Sequence, residues 1–242
     1  MRFAAGMAAG VVLAMISGGA LARQTSGGQV AAAAKPAEVS FQFERTGVPV
    51  PRFTLRVNED GTGHYQAEEV EGPADGGTMQ YASAKHIDRT LELTAATVTK
   101  IFKAARELDR FDMECAAKTK NIADTGKKTL SYTGTDGAGS CTYNYSGNKD
   151  IEMLTNTFIA IAFTMDDGRR LAFLHQYDRL GLDAEMIGLE REAAAGRALE
   201  LGTIAPVLTS IAGDGAVMQR VRLQAARLLK QAGVDNHGSN KI

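Results

Sequence analysis

Two hydrophobic periods divide this chain. Between Val39 and Tyr145 apolar residues recur mainly at every second position, with one helical stretch inserted; beyond Asp150 they recur at every third or fourth. Period two belongs to a strand with one buried face, and period 3.6 to a helix with one buried stripe. This order predicts an α+β fold: an antiparallel sheet with helices on one face, followed by a C-terminal all-helical segment.

The elements follow from the pattern. Val39, Phe41 and Phe43 alternate with polar residues, and the prolines of Thr46 to Pro51 end that strand. Phe53, Leu55 and Val57 open a hairpin over Arg52 to Ala67, turned by Asn58-Glu59-Asp60-Gly61-Thr62-Gly63. Glu68 to Thr78, acidic and glycine-rich, reads as an exposed loop, and His86 to Leu93 as another strand. Thr94 is placed as the N-cap of a helix burying Val98, Ile101, Phe102, Ala105 and Leu108, with Phe111 and Cys115 in a loop after it. Lys128 to Thr133 and the run Cys141, Tyr143, Tyr145 make a second hairpin, turned by Gly134-Thr135-Asp136-Gly137-Ala138-Gly139. Asp150 is expected to cap a second helix with Ile151, Leu154, Phe158, Ile161 and Met165 inside. Asp166-Asp167-Gly168 is the expected boundary loop. Past it, short helices are expected near Leu171 and from Asp183, Thr203 and Asp214, the third with Pro206 in its first turn.

The N-terminus has the layout of an export signal. Met1-Arg2 is positive, Ala4 to Ile16 is apolar, Ser17-Gly18-Gly19 breaks it, and Ala20-Leu21-Ala22 offers small residues at −3 and −1 to a signal peptidase. The apolar stretch is short and diluted by Gly and Ala, whereas a spanning helix wants about 20 strongly apolar residues. Cleavage before Arg23 is therefore expected, with no integral membrane segment afterwards. The organisation reads as residues 1–22 signal peptide, 23–37 flexible leader, 38–167 α+β domain, 168–234 helical region and 235–242 frayed tail. Export to the periplasm or beyond places Cys115 and Cys141, the only 2 cysteines, in an oxidising space where they are expected to form a disulfide.

Composition and motifs mostly exclude. Lys+Arg number 27 against 28 Asp+Glu, so the basic excess that nucleic acid attracts is missing. No HExxH, CxxC or G-x-S-x-G occurs, and no cofactor is expected. His175 and Asp178 share a predicted helix face, but zinc needs at least three protein ligands and no third is indicated. His86 and Asp88 share a strand face that solvation explains equally well. The glycine-rich turn after Thr133 leads into a strand, so it cannot cradle phosphate on helix amides. Asn144-Tyr145-Ser146 is a formal glycosylation acceptor inside a predicted strand. Arg220, Arg222, Arg227 and Lys230 give the last helix a basic face, read mainly as a solvated one.

Three stretches resemble an uncharacterised family of exported bacterial proteins. They are Phe41-Gln42-Phe43-Glu44-Arg45-Thr46-Gly47, Lys120-Asn121-Ile122-Ala123-Asp124-Thr125-Gly126-Lys127-Lys128-Thr129-Leu130, and Tyr177-Asp178-Arg179-Leu180-Gly181-Leu182-Asp183-Ala184-Glu185. The resemblance implies export and carries no activity. The functional expectation is an exported, non-catalytic module that binds an unknown protein or envelope partner. The alternatives are a secreted hydrolase with a dispersed polar site, drawn from His175, Asp178, Asp166 and Asp167, and a protease-inhibitor-like domain suggested by the order hairpin, helix, hairpin, helix.

Overall fold

The computed structural model describes residues 36–70, 84–119 and 122–234. The expected signal peptide, nearly all of the leader, most of the expected acidic loop and the C-terminal tail lie outside the described residues. The fold is α+β. Six strands form one antiparallel sheet in the order β4-β3-β2-β1-β5-β6. They are β1 (Glu38–Glu44), β2 (Arg52–Asn58), β3 (Thr62–Val70), β4 (Ala84–Glu92), β5 (Lys127–Gly134) and β6 (Gly137–Tyr143). The helix α1 (Ala95–Glu107) carries the chain from β4, at one edge, to β5 on the far side of β1. Then come α2 (Lys149–Tyr177), α3 (Leu182–Ala194), α4 (Ala205–Gly213) and α5 (Gln219–Gln231).

Alternation sets the faces of the sheet. Phe41 in β1 pairs with Leu55 in β2 and Leu130 in β5, and all three are fully buried. Their neighbours Gln42, Thr54 and Thr129 point to the solvated face, where Thr129 pairs with Thr142 at 2.9 Å and Ser131 with Ser140 at 2.9 Å. The helices cover the apolar face, which leaves the other free to be polar. Phe41 stacks on Phe158 of α2 with ring centroids 5.2 Å apart.

Several sequence expectations change in detail. Ala37, placed in the leader, is buried, and its carbonyl accepts from the amide of Glu59 at 2.9 Å. The segment after α1 is a tight turn at Asp109–Phe111 whose three residues all have positive φ. It lies over β6, where a Cβ on Gly139 would stand 2.6 Å from the Arg110 carbonyl oxygen. Asn148, not Asp150, caps α2, since its side chain accepts from the amides of Asp150 and Ile151. β6 ends at Tyr143, so Tyr145 leaves the strand face and is exposed. Asp214 does not open α5; its carboxylate accepts from the Ala216 amide and makes a turn before the helix.

The largest correction is at Asp166-Asp167-Gly168. No loop interrupts the chain there, because α2 runs unbroken for 29 residues. Gly168 sits in mid-helix for a packing reason, as a Cβ there would come 2.2 Å from Cγ2 of Ile204. Glycine lets the short turn Leu201–Ile204 press on the helix backbone. The hydrophobic core does divide at this point. One cluster runs from Ala37 to Met165 over the sheet, and the other from Leu171 to Leu229 among the helices. A single helix belongs to both.

Candidate functional site

The middle and end of α2 line a groove of about 1000 Å³. Its far wall is the connection between β1 and β2. That connection holds its shape through backbone bonds, from the Arg45 amide to the Pro51 carbonyl at 2.8 Å and from the Val70 amide to the Pro49 carbonyl at 3.0 Å. The segment read as a strand break thus builds a wall through Val48, Pro49 and Val50. The floor includes Phe43 and Phe53, stacked at 5.2 Å. The rim on α2 carries Phe173 and Tyr177, ring centroids 5.0 Å apart and exposed to 59% and 68%.

Lys85 and Arg89 line the groove, and so do four charged groups that have partners within the molecule, Glu69, Asp166, Arg169 and Arg170. Arg169 binds Glu69 of β3 at 2.7 Å and joins helix to sheet. The Tyr65 hydroxyl donates to Asp166 Oδ1 at 2.9 Å. Burial, the largest cause, raises the pKa of the Asp166 carboxyl; the tyrosine hydrogen bond and Arg169 oppose it. Asp167 is 4% exposed. Burial first, then the neighbouring carboxyl of Glu185, push it up to about 7, against the pull of Arg170. Arg170 also reaches Glu185 at 3.1 Å.

The residues considered for a hydrolytic site do not converge. Asp166 and Asp167 line the groove, but His175 turns away and meets Asp214 Oδ2 at 2.9 Å, with Arg179 at 3.4 Å from the same oxygen. Asp178 is the C-cap of α2, its side chain accepting from the Gly181 amide at 3.2 Å. Among the described residues neither Asp166 nor Asp167 is hydrogen-bonded to a His, Ser or Cys side chain. None of them forms a group of three or more His, Cys, Asp or Glu able to hold a metal. His86 and Asp88 lie on the solvated sheet face, where Asp88 accepts from Gln66 at 3.0 Å.

Other marked residues have structural partners. Cys115 and Cys141 are buried at disulfide distance, with Cα atoms 5.7 Å apart. On α5, Arg220 meets Asp183 at 2.7 Å and Arg227 meets Glu190 at 2.8 Å, so two of the four cations brace α3. The Asn144 side chain accepts from the Thr125 amide at 2.8 Å and donates to the Ala123 carbonyl at 2.9 Å, leaving its nitrogen in use as a brace.

Sequence reasoning missed Lys128. It is 6% exposed and its ammonium donates to the carbonyls of Thr125, Gly126 and Asn144 and to the Thr125 hydroxyl, at 2.8 to 3.2 Å. Burial lowers its pKa. The signal was present: Lys128 has the same parity as the inward Leu130 and Tyr132. The groove was missed as well, because its far wall comes from β1–β2 and its near wall from a helix more than a hundred residues later.

No protein-family model matches the chain, and no curated protein matches it either. Among the described residues no helix is long and apolar enough to cross a membrane.

Proposed function

We propose that this is an exported binding module without a catalytic role, which holds a protein or envelope partner in the groove beside α2. One observation carries the reading. The groove exposes large aromatic side chains at its rim, while Glu69, Asp166, Arg169 and Arg170 are paired inside the molecule. Aromatic groups left in water beside neutralised charge favour association by apolar burial, and such anchors dominate binding energy at interfaces. The separation of His175 from Asp166 and Asp167 favours binding over hydrolysis, which needs a base within hydrogen-bond reach of its nucleophile. Export draws support from the N-terminal pattern and from the cysteine pair, since such pairs persist in oxidising compartments.

The test is capture. Purified protein immobilised through its C-terminus is exposed to envelope extract, beside a Phe173→Glu/Tyr177→Glu variant. A component retained roughly tenfold less by the variant is expected, as for loss of an interface anchor. Retention indifferent to the variant would overturn the groove as the site. Ester or peptide hydrolysis that disappears in Asp167→Asn would overturn the non-catalytic reading. N-terminal sequencing of the exported protein is expected to begin at Arg23, and a chain that keeps Met1 and stays with the membrane would refute export.

A further inference from the structure

The outer face of α2 carries a second apolar pattern besides the one that fills the cores. Ile151, Leu154, Phe158, Ile161 and Leu171 are fully buried on the inner side. On the outer side, Ile159, Phe163, Asp166, Arg170, Phe173 and Tyr177 follow one another at steps of four, three, four, three and four, with the charged pair at the centre and Phe163 half-buried against the edge of the helical core. That is the alternation of a coiled-coil seam, in which residues at a and d face a second helix. A helix with apolar residues on both sides normally has a neighbour on both sides, and among the described residues the outer side of α2 has the open groove instead.

The seam is self-complementary. Laid antiparallel on a copy of itself, with the two-fold axis level with Gly168, Ile159 faces the partner's Tyr177 and Phe163 faces the partner's Phe173. At the centre Asp166 faces the partner's Arg170, and by symmetry each contact occurs twice, as an isologous interface requires. Every layer then pairs an a with a d position. The central groups have capacity for this contact. The Arg170 side chain is 61% exposed beyond its bond to Glu185, and guanidinium carries five N–H donors. Asp166, its side chain 23% exposed, uses Oδ1 for Tyr65 with Arg169 at 3.7 Å from the same oxygen, and its Oδ2 has no hydrogen bond among the described residues. A polar pair at the middle of an apolar seam sets register and orientation.

We infer that the groove beside α2 is occupied by α2 of a second copy of this chain, packed antiparallel in a two-fold dimer. The inference rests on the binding reading and names its partner. It is tested with the full chain, in the form the cell delivers. Light scattering is expected to give twice the mass of one chain, and a monomer at all concentrations into the millimolar range overturns the dimer. Phe173→Glu is expected to give a monomer with unchanged circular dichroism, because Phe173 is largely exposed; a dimer that survives overturns this face as the interface. Mixing an Ile159→Cys chain with a Tyr177→Cys chain is expected to give a mixed disulfide. Ile159→Cys alone is expected to give none, since residues 159 of the two copies would stand about 27 Å apart at 1.5 Å per residue. Cross-linking of Ile159→Cys with itself overturns the antiparallel register. The two readings fail differently. A monomeric chain that still captures an envelope component through Phe173 defeats the dimer alone. A chain in which neither capture nor self-association depends on Phe173 defeats the groove itself.

Discussion

The Glu200 carboxylate accepts from the backbone amide of Thr94 at 2.9 Å and from the Thr94 hydroxyl at 2.8 Å, across 106 residues of sequence. Glu200 also accepts from the Thr97 hydroxyl. Thr94 by itself is a weak cap, its hydroxyl lying 3.4 Å from the Thr97 amide. The acid from the helical part thus completes the N-terminus of α1, where orphan amides and the helix dipole favour negative charge. Glu200 is held for this in the left-handed region, at φ 57.

Glu200→Ala removes these acceptors and is expected to cost about 1–2 kcal/mol, the usual loss for a helix cap. Urea denaturation at neutral pH measures it. Glu200→Ala combined with Thr94→Ala should cost less than the two single losses together, because both act at one helix end. Strict additivity would show that the contact contributes nothing.

Gly168→Ala tests the close approach in α2. In an unobstructed helix interior this change gains about 1 kcal/mol from propensity. Here the new Cβ would meet Ile204 Cγ2 at 2.2 Å, and overpacking costs about 1–3 kcal/mol. The net effect is expected to be destabilising, and truncation of Ile204 to Ala in the same chain should recover part of it. A more stable Gly168→Ala protein would refute the packing account.

The Cys115–Cys141 pair closes a segment with a sequence separation of 26. A bridge across such a loop stabilises a fold by roughly 3 kcal/mol in the chain-entropy account. Reductant, or Cys115→Ser/Cys141→Ser, is expected to lower the melting temperature while far-ultraviolet dichroism at room temperature is kept. The core around Phe41, Ile101 and Phe158 does not depend on the bridge. Two freely alkylated thiols in the native protein would contradict the bridge.

Asp167 gives stability a pH dependence of stated sign. Its folded pKa of about 7 stands above the reference of 3.8, so the folded state binds its proton more tightly than the unfolded one. Stability from this group is greatest at low pH, falls as pH rises from about 4 to about 7, and is level beyond. The charged groups facing it are Glu185 of α3, Arg170 and Asp166. Asp167→Asn is expected to flatten the melting temperature between those pH values and to raise it at pH 8. Parallel curves for the two proteins would count against this.

The sequence by itself determined the local elements. Alternation at Val39, Phe41, Leu130 and Tyr132 marked strands and their inner faces, and the spacing of Val98, Ile101, Phe102 and Ala105 marked α1. It does so because those signals lie within a few residues of one another, in the period of the element they form. Only the tertiary structure decided the rest. Gly168 reads as a breaker until Ile204 arrives beside it, and Thr94 reads as a complete cap until Glu200 is seen to finish it. His175 takes Asp214 as its partner, not Asp178 on its own helix face. Each of these pairs lies dozens of residues apart along the chain. Burial changes what a polar group needs, and the neighbour that supplies it is set by how the elements pack, which no local period records.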